Sequence, residues 1–132
     1  MAQISVVVIR SLTRNSIGSR NFLTFSNRAV LYARIERRVD NMLSMGLERE
    51  VRSLLEMGVL PGATSMQAIG YKEMADMISG GSGPDETVEK IKMESRRYAK
   101  RQLTWLRRDL EIKWITWEKT PDIEAAVQRI RN

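Results

Sequence analysis

The sequence predicts a mainly α-helical protein with two short β-strands. Apolar residues recur at helical spacing through most of the chain, while two short runs, residues 4–9 and 112–117, are rich in β-branched or aromatic residues. The first run is apolar enough to be buried on both faces of a sheet, and two strands alone make a poor sheet. Its neighbouring strands must therefore come from elsewhere. We expect part of a larger α/β domain, or a protomer completed by a partner, in preference to a complete domain.

The first 27 residues are predicted to form a strand followed by an atypical connector. Residues 4–9 are the strand, and residues 11–27 are polar and rich in Ser and Asn, which is typical of a loop or a partly disordered insert. Asn27 is a suitable N-cap for the first helix. Residues 28–132 are then predicted to form a helical region with one late strand.

Glycine and proline mark where the predicted helices begin and end. The helices are expected from Asn27 to Gly46, from Leu47 to Gly58, over residues 65–78, from Asp85 to about Asp109, and from Pro121 towards the C-terminus. Gly70 lies in the interior of the third of these helices. Because a glycine inside a helix costs about 1 kcal/mol relative to alanine, we expect a local reason for it.

Composition excludes several kinds of site. The chain has no Cys and no His, so thiol or imidazole nucleophiles, structural zinc and disulfides are excluded. No apolar run approaches the roughly 20 residues of a membrane span, and we expect a cytoplasmic protein that does not associate with a membrane. The net charge of +6 favours a polyanionic partner, although a basic surface without a special partner would also account for the charge alone.

Residues 95–108 are the strongest indication of that partner. They hold six of the 22 basic residues, interleaved with Tyr98, Gln102 and Trp105. Cations attract phosphate at any sequence, and aromatic faces stack on bases, so this combination is typical of RNA binding.

Helical geometry divides this basic run into faces. The predicted apolar face contains Val88, Ile91, Tyr98, Ala99, Leu103, Leu106 and Leu110. The cations that border this face, where we expect phosphate contact, are Arg96, Lys100 and Arg107. The cations nearly opposite it, which solvation explains, are Arg97, Arg101 and Arg108. Trp105 lies at the other margin of the apolar face, where simple packing is its default role.

Two polar side chains lie on predicted apolar stripes. Gln102 falls in the middle of the apolar face, so it either joins a hydrogen-bonded core network or lines a site where a polar ligand arrives. Arg28 lies one turn before Tyr32, at the top of a buried stripe. An Arg there pairs with a carboxylate or phosphate, or simply extends its stem along apolar surface.

The sequence shows no recognisable catalytic centre. It has no GxxxxGK[ST] phosphate loop, no close carboxylate pair, no Ser-based triad and no Asp-rich metal motif. We therefore expect a chain that binds its partner but has no catalytic residues of its own.

Four blocks of sequence in register resemble the tRNA dimethylallyltransferase (isopentenyl-tRNA transferase) family. They are Arg-Ala-Val-Leu-Tyr-Ala-Arg-Ile at 28–35 with Arg-Val-Asp at 38–40; Met-Leu at 42–43, Gly-Leu at 46–47 and Glu-Val at 50–51; Gln-Ala-Ile-Gly-Tyr-Lys-Glu at 67–73; and Arg-Arg-Tyr-Ala-Lys-Arg-Gln-Leu-Thr-Trp at 96–105. Their order and spacing are similar to the C-terminal part of that family, from about Asn27 to Trp117.

The resemblance implies a fold and a reaction. The fold is a P-loop-kinase-like α/β domain, of which this chain would be the C-terminal part. The family transfers the dimethylallyl group of dimethylallyl diphosphate to N6 of the adenosine beside the anticodon, after extruding that base from its stack. A phosphate loop and Mg²⁺ hold the diphosphate, and an Asp acts as the base.

The resemblance also implies roles for individual residues. Arg28 matches an Arg near the diphosphate, and Gly70 would permit close backbone approach to RNA. The residues that match tRNA-contacting segments are Gln67, Ala68, Ile69, Gly70, Tyr71, Lys72, Arg96, Lys100, Arg101, Gln102, Leu103, Thr104, Trp105, Leu106 and Arg107. The phosphate loop and the catalytic Asp have no counterpart in this chain, so we expect neither bound Mg²⁺ nor activity in the chain alone.

Two other interpretations stay open at this point. The chain could be a stand-alone RNA-binding module without catalysis, which would bind RNA without any N-terminal partner. It could also be a truncated product that dimerises through unpaired strands or associates with a missing N-terminal half.

Overall fold

The computed structural model describes residues 8–10, 21–110, 112–117 and 122–131. Within these residues the elements are β1 Val8–Arg10, β2 Asn21–Ser26, α1 Arg28–Ser44, α2 Leu47–Glu56, a 3₁₀ helix Thr64–Gln67, α3 Tyr71–Ile78, α4 Pro84–Leu106, β3 Ile112–Trp117 and α5 Ile123–Arg131. The predicted mainly α-helical class is confirmed. None of the described helices is both long and apolar enough to cross a membrane.

The described strands form one sheet in the order β1-β2-β3. β1 runs antiparallel to β2, with Val8 opposite Leu23. β3 runs parallel to β2 over its full length, from Asn21 opposite Ile112 to Ser26 opposite Trp117. The late strand was therefore predicted with its exact bounds. Of the predicted strand over residues 4–9, residues 4–7 lie outside the described residues, and the described part extends to Arg10.

β2 corrects the expectation of a loop over residues 11–27. The segment Asn21–Ser26 is a strand, so the sheet has one strand more than the sequence predicted. The partner that completes its hydrogen-bond ladder is β3, which lies near the other end of the chain. Local composition cannot reveal so distant a pairing, because strand stability depends on cross-strand neighbours more than on intrinsic preference.

The chain divides into two compact units. One unit is formed by residues 34–98, and the other by the described residues before Arg34 together with those after Tyr98. In the first unit the buried core consists of Val39, Leu47, Val51, Met66, Met74, Ala75 and Ile91. In the second unit Ile115 of β3 packs with Ala126 of α5, and half-buried Ile130 lies against them.

In the first half of the chain, helices begin and end close to the residues predicted to cap or terminate them. The side-chain oxygen of Asn27 accepts a hydrogen bond from the Val30 amide at 3.0 Å, which confirms it as the cap of α1. Gly46, with φ +100°, separates α1 from α2. A left-handed backbone of this kind favours glycine, since any side chain there is strained.

The predicted third helix is wrong in its middle. A short 3₁₀ helix ends at Gln67, and α3 begins only at Tyr71, with Gly70 between them at φ +99°. Gly70 is thus a junction and not a helix-interior residue. The local reason expected for this glycine is its backbone conformation, which other residues rarely adopt.

α4 buries one residue in every four. The buried residues are Thr87, Ile91, Ser95, Ala99 and Leu103. Successive steps of four residues rotate the buried line by roughly 40°, so the line winds around the helix. A single fixed face was therefore a poor prediction: Tyr98 is 40% exposed, and Leu110 is 96% exposed and lies beyond the helix, which ends at Leu106 instead of near Asp109.

Candidate nucleic-acid interface

The last two turns of α4 and the residues that follow form an exposed basic surface. We call residues 99–108 the basic segment. Ala99 and Leu103 are buried and fix one side of the helix, while Lys100 and Arg107 are exposed on other sides. No ion pair joins Lys100 or Arg107 to another described residue. These two charges are therefore available to an anionic partner.

The basic segment is ordered by ordinary helix contacts. The Thr104 hydroxyl donates to the Lys100 carbonyl at 2.9 Å, one turn back along the helix. The Arg107 amide donates to the Leu103 carbonyl at 3.0 Å, which closes the last turn. Lys100 is thus carried by the helix itself, and Arg107 by the hydrogen-bonded turn that follows it. Arg101, Arg108 and Thr104 are exposed on the same segment, and Leu106 is half-buried.

Trp105 does not pack into the core of the described structure. It is 70% exposed, whereas simple packing was its default interpretation from the sequence. A large aromatic face in water, beside exposed cations, is a surface on which a nucleobase can stack.

Gln102 lies at the edge of the buried line of α4. Its side chain is half-buried, and its Oε1 atom is buried without a hydrogen-bond donor among the described residues. Of the two interpretations offered by the sequence, a satisfied core network does not hold for this oxygen. A buried acceptor without a donor is costly, which makes Gln102 the polar side chain most in need of an incoming group.

Arg96 differs from Lys100 and Arg107, the other cations that were predicted to border the apolar face of α4. Its guanidinium contacts Oε1 of Glu36 on α1 at 2.6 Å. One turn earlier on α4, the Lys92 ammonium contacts Oδ1 of Asp40 at 2.7 Å, and this hydrogen bond raises the pKa of Lys92. Arg96 therefore has a carboxylate partner within the protein, and this ion pair joins α4 to α1.

Sequence spacing could have revealed these two ion pairs. Glu36 and Asp40 are one turn apart on α1, and Lys92 and Arg96 are one turn apart on α4. The later acid pairs with the earlier base, so these parts of the two helices run antiparallel. Matched one-turn spacings of opposite charge on two helices are the signal that was missed.

Residues 67–72 surround the junction at Gly70. Exposed Gln67 donates from Nε2 to the Pro61 carbonyl at 2.9 Å, and Ala68 and Lys72 are also exposed. Half-buried Ile69 packs against the core of its unit. The Tyr71 hydroxyl donates to Oε1 of Glu50 at 2.7 Å, and this bond raises the pKa of Tyr71, with burial adding to the effect.

The side chain of Glu73 holds the backbone of the junction at Gly70. It is buried, and its Oε2 accepts the Gly70 amide at 2.8 Å. This hydrogen bond satisfies one of the amides at the start of α3, and the carboxylate also suits the positive end of the helix. The exposed side of residues 67–72 is therefore held in place by a hydrogen bond to a buried side chain.

A pocket of about 400 Å³ opens beside residues 67–72. It is lined by Pro61, Gly62, Gln67, Lys72, Glu73, Ala75, Asp76, Ser79 and Lys90. The two lysines are balanced by the two carboxylates. One oxygen of Asp76 is already used, since it accepts the Ser82 hydroxyl at 2.7 Å. Sequence inspection did not connect Lys90 with Lys72, because they lie on different helices.

Arg28 occupies the first position of α1 and is exposed. As predicted, it precedes a stripe on which Tyr32 is half-buried and Ile35 and Val39 are buried, but Arg28 itself is exposed. The first turn of α1 contains no acidic residue. The positive end of the helix and the Arg28 guanidinium therefore act together, and an anion placed there would be favoured.

The described residues contain no group of three or more carboxylates or other ligating side chains that could hold a metal ion. Exposed cations at two places, residues 67–72 and the basic segment, are what these residues offer chemically. The structure brings Gln67 to Lys72 together in one unit and Lys100 to Arg107 together in the other.

Comparison with known proteins identifies relatives of this chain. The sequence profile of the IPP transferase family matches residues 9–109. A tRNA dimethylallyltransferase of Pelotomaculum thermopropionicum is 47% identical over 113 residues, which are 83% of this chain and 36% of the relative. A tRNA dimethylallyltransferase 1 of Pelobacter propionicus is 53% identical over 90 residues, which are 68% of this chain and 29% of the relative.

Solved structures give the same result. The tRNA isopentenylpyrophosphate transferase of Bacillus halodurans matches with a TM-score of 0.78 and 38% identity, over 83% of this chain and 36% of the other. The tRNA isopentenylpyrophosphate transferase of Staphylococcus epidermidis matches with a TM-score of 0.71 and 40% identity, over 82% of this chain and 36% of the other. The chain thus spans about a third of the length of the relatives that it matches.

Proposed function

The chain belongs to the IPP transferase family, and from this we propose that it forms the C-terminal part of a tRNA dimethylallyltransferase. The reaction forms a bond between N6 of the adenosine beside the anticodon and the allylic carbon of dimethylallyl diphosphate. The allylic carbon–oxygen bond breaks, diphosphate leaves, and N6 loses a proton. The observation that carries this proposal is the family match over residues 9–109.

Our proposal gives the basic segment the role of binding the anticodon stem-loop of tRNA. Lys100 and Arg107 are exposed and have no ion pair with another described residue. Phosphate contacts position a protein on RNA, whereas base contacts specify the sequence. We assign positioning to these two cations, and stacking to exposed Trp105.

The exposed side of residues 67–72 is proposed as a second contact with tRNA. Gln67 and Lys72 are exposed to solvent, and Lys72 borders the 400 Å³ pocket. The backbone at Gly70 is itself buried, so the direct approach of RNA to this glycine, which the resemblance implied, is not part of the proposal. Gly70 instead shapes the turn that carries its neighbours.

Arg28 is proposed to contact the diphosphate of the prenyl donor. The guanidinium stands at the positive end of α1, a 17-residue helix without an acidic residue in its first turn. Both features favour an anion. Mg²⁺ would reinforce this charge in the complete enzyme, where the family's phosphate loop and catalytic Asp supply the chemistry. We place this activity in the cytoplasm, with the tRNA that it modifies.

A prenyl-transfer assay tests the proposal. The chain is incubated with dimethylallyl diphosphate, Mg²⁺ and anticodon stem-loop RNA, first alone and then fused to the remaining two-thirds of a relative such as the Bacillus halodurans enzyme. We expect no transfer by the chain alone and clear transfer by the fusion. Transfer by the chain alone would overturn its dependence on the missing portion. A folded fusion that transfers nothing would overturn the proposed function.

A further inference from the structure

The start of α3 is capped by a side chain from within the helix. Gly70 stands where Ser, Thr, Asp or Asn usually caps a helix, and it has no side chain with which to do so. The cap comes instead from Glu73, whose Oε2 accepts the Gly70 amide at 2.8 Å. Because Glu73 is only 7% exposed, water competes little for this hydrogen bond.

Glycine by itself does not select the conformation found at this junction. Gly70 has φ +99° and ψ −46°, and a residue without a Cβ atom enters many other regions of φ/ψ space as readily. Gly70 is buried, so a conformation that turned its amide away from Glu73 would leave a buried N–H without that acceptor. The hydrogen bond to Glu73 therefore selects one backbone conformation among those that glycine allows.

That conformation determines how the exposed residues on either side of Gly70 are placed. On one side, Nε2 of Gln67 donates to the Pro61 carbonyl at 2.9 Å. On the other side, the Lys72 amide donates back across the glycine to the Ala68 carbonyl at 3.3 Å. No ion pair joins Lys72 to another described residue, so the position of its charge follows from the backbone that carries it.

We propose that Glu73 is a positioning residue for RNA binding, which holds the backbone of residues 67–72 in the arrangement that directs Lys72 towards a phosphate. This inference rests on the proposed function, which takes residues 67–72 as a contact with tRNA. It adds a buried residue that acts through its neighbours. Order of this kind raises affinity, because the segment loses its conformational freedom on folding and not on binding.

The sign of the effect separates positioning from charge. Glu73 and Lys72 line the same pocket. Removal of a carboxyl group there cannot by charge alone weaken the attraction of an anion, since an ionised carboxyl repels phosphate and a protonated one is neutral. Positioning predicts the opposite for any variant that loses the acceptor of the Gly70 amide, which should bind RNA less tightly.

The RNA affinity of three Glu73 variants tests this inference, with labelled anticodon stem-loop RNA titrated by each folded chain. Glu73→Met has a similar length but no acceptor, and should bind about tenfold more weakly. Glu73→Gln keeps an acceptor at the same length and should bind as tightly as the unchanged chain or more so. Glu73→Asp is one methylene shorter, which draws the carboxylate away from the Gly70 amide. It should bind more weakly, and it decides the question if Glu73→Met does not fold.

A double-mutant cycle with Lys72 separates positioning from a general loss of structure. Lys72→Ala alone should cost about tenfold in affinity and reduce the slope of log affinity against log salt by about 0.7. In the Glu73→Met chain the same substitution should cost little and leave the slope unchanged. Equal costs in the two backgrounds would show that Glu73 does not act through Lys72, and would overturn the inference. So would the absence of any cost in the unchanged chain, because Glu73 would then have no contact to position.

Asp76→Asn is the matched control. Asp76 is an exposed acid that lines the same pocket, and its Oδ2 accepts the Ser82 hydroxyl and not a group of residues 67–72. This variant should bind RNA as tightly as the unchanged chain or more so. Equal weakening by Asp76→Asn and Glu73→Met would assign the effect to the pocket as a whole, and equal weakening by Glu73→Gln would show that the acceptor is not what matters. Either result would contradict the inference.

The same titrations distinguish failure of the inference from failure of the proposed function. If Glu73→Met and Glu73→Asp bind the stem-loop as the unchanged chain does, the inference fails and the proposed function stands. If the unchanged chain binds no stem-loop RNA, the proposed function fails together with the inference.

Discussion

At the scale of single residues, backbone conformation determines where a helix begins, which the pattern of apolar side chains does not show. The apolar spacing around residues 65–78 is helical, and it was correctly taken as such from Tyr71 onwards. Gly70 breaks the pattern because its φ of +99° cannot continue a helix, and the buried carboxylate of Glu73 then caps the new start. A sequence shows that a glycine is present but not the sign of its φ angle.

Gly70→Ala should therefore destabilise the protein. The added methyl group would meet Leu47 and Met42 only at ordinary contact distances of 3.5 and 3.6 Å, so the cost comes from the positive φ. We expect the free energy of unfolding in urea to fall by about 1–3 kcal/mol. Gly62→Ala is the control, since it has open space and no positive φ. Equal stability of the two variants would contradict this account of Gly70.

Tyr71 gives a pH-dependent contribution to stability. Its hydrogen bond to Glu50 raises the pKa of the phenol above the ordinary value of 10.0. A raised folded-state pKa means that this stability is fully present below about pH 10 and is lost as the pH rises through the folded-state value. Tyr71→Phe should lower the free energy of unfolding by about 1 kcal/mol near neutral pH and flatten its decline at alkaline pH.

The measurement is urea unfolding at a series of pH values, with Tyr32→Phe as the control. Tyr32 is also half-buried, but its hydroxyl makes no hydrogen bond to another described residue. A Tyr71→Phe variant with unchanged stability near neutral pH would show that the bond to Glu50 contributes nothing.

At the scale of elements, the local sequence pattern predicts where the helices lie, but it does not predict which helices contact one another. Asn27, Gly46 and the Gly-rich stretch at 80–83 gave helix ends that were right to within a few residues. The Glu36–Arg96 and Asp40–Lys92 pairs were not predicted, because each joins two helices that are far apart in the sequence. Arg96, which the sequence predicted to contact phosphate, has Glu36 of the protein itself as its partner.

A double-mutant cycle on Glu36 and Arg96 tests this element-level contact. The side chains are 43% and 27% exposed, so solvent screens the pair in part, and we expect a coupling of about 0.5–1 kcal/mol. The Glu48–Arg52 pair on α2, with both side chains about half exposed, is the control and should give a smaller value. A coupling no larger than that of the control pair would remove Arg96 from a structural role.

Substitutions in the basic segment should change RNA binding without changing stability, the opposite of what we expect for Arg96. Lys100→Ala and Arg107→Ala should leave stability unchanged, weaken RNA binding, and each reduce the slope of log affinity against log salt by about 0.7. Arg129→Ala on α5 is the matched cation control and should change neither quantity. Unchanged slopes for both variants, measured by fluorescence anisotropy, would place the phosphate contacts elsewhere.

At the scale of the whole molecule, the sequence predicted the late strand but not the sheet that this strand joins. Residues 112–117 were identified as a strand because they are β-branched and aromatic over their whole length. Residues 21–26 were not, because their partner β3 lies in a distant part of the chain. The expectation that the neighbours of the first strand come from elsewhere was wrong for the described part of that strand, because β1 pairs with β2 of the same chain.

The exposed apolar residues belong to the same scale. Met45, Met57, Leu60 and Ile123 are each more than 70% exposed. Single exposed apolar side chains are common on any protein, so they do not identify an interface by themselves. These residues therefore carry no part of our central claim, the proposal that this chain binds tRNA.

The most direct test of that claim is the salt dependence of anticodon stem-loop binding by the 132-residue chain itself. Labelled stem-loop RNA is titrated with the chain at several salt concentrations, with a duplex RNA of the same length and charge as the reference. We predict affinity of about micromolar for the stem-loop, falling steeply with salt, and weaker binding of the duplex. Equal affinity for both RNAs would support only non-selective attraction of charge. The absence of any binding at low salt would contradict the claim that this chain holds tRNA.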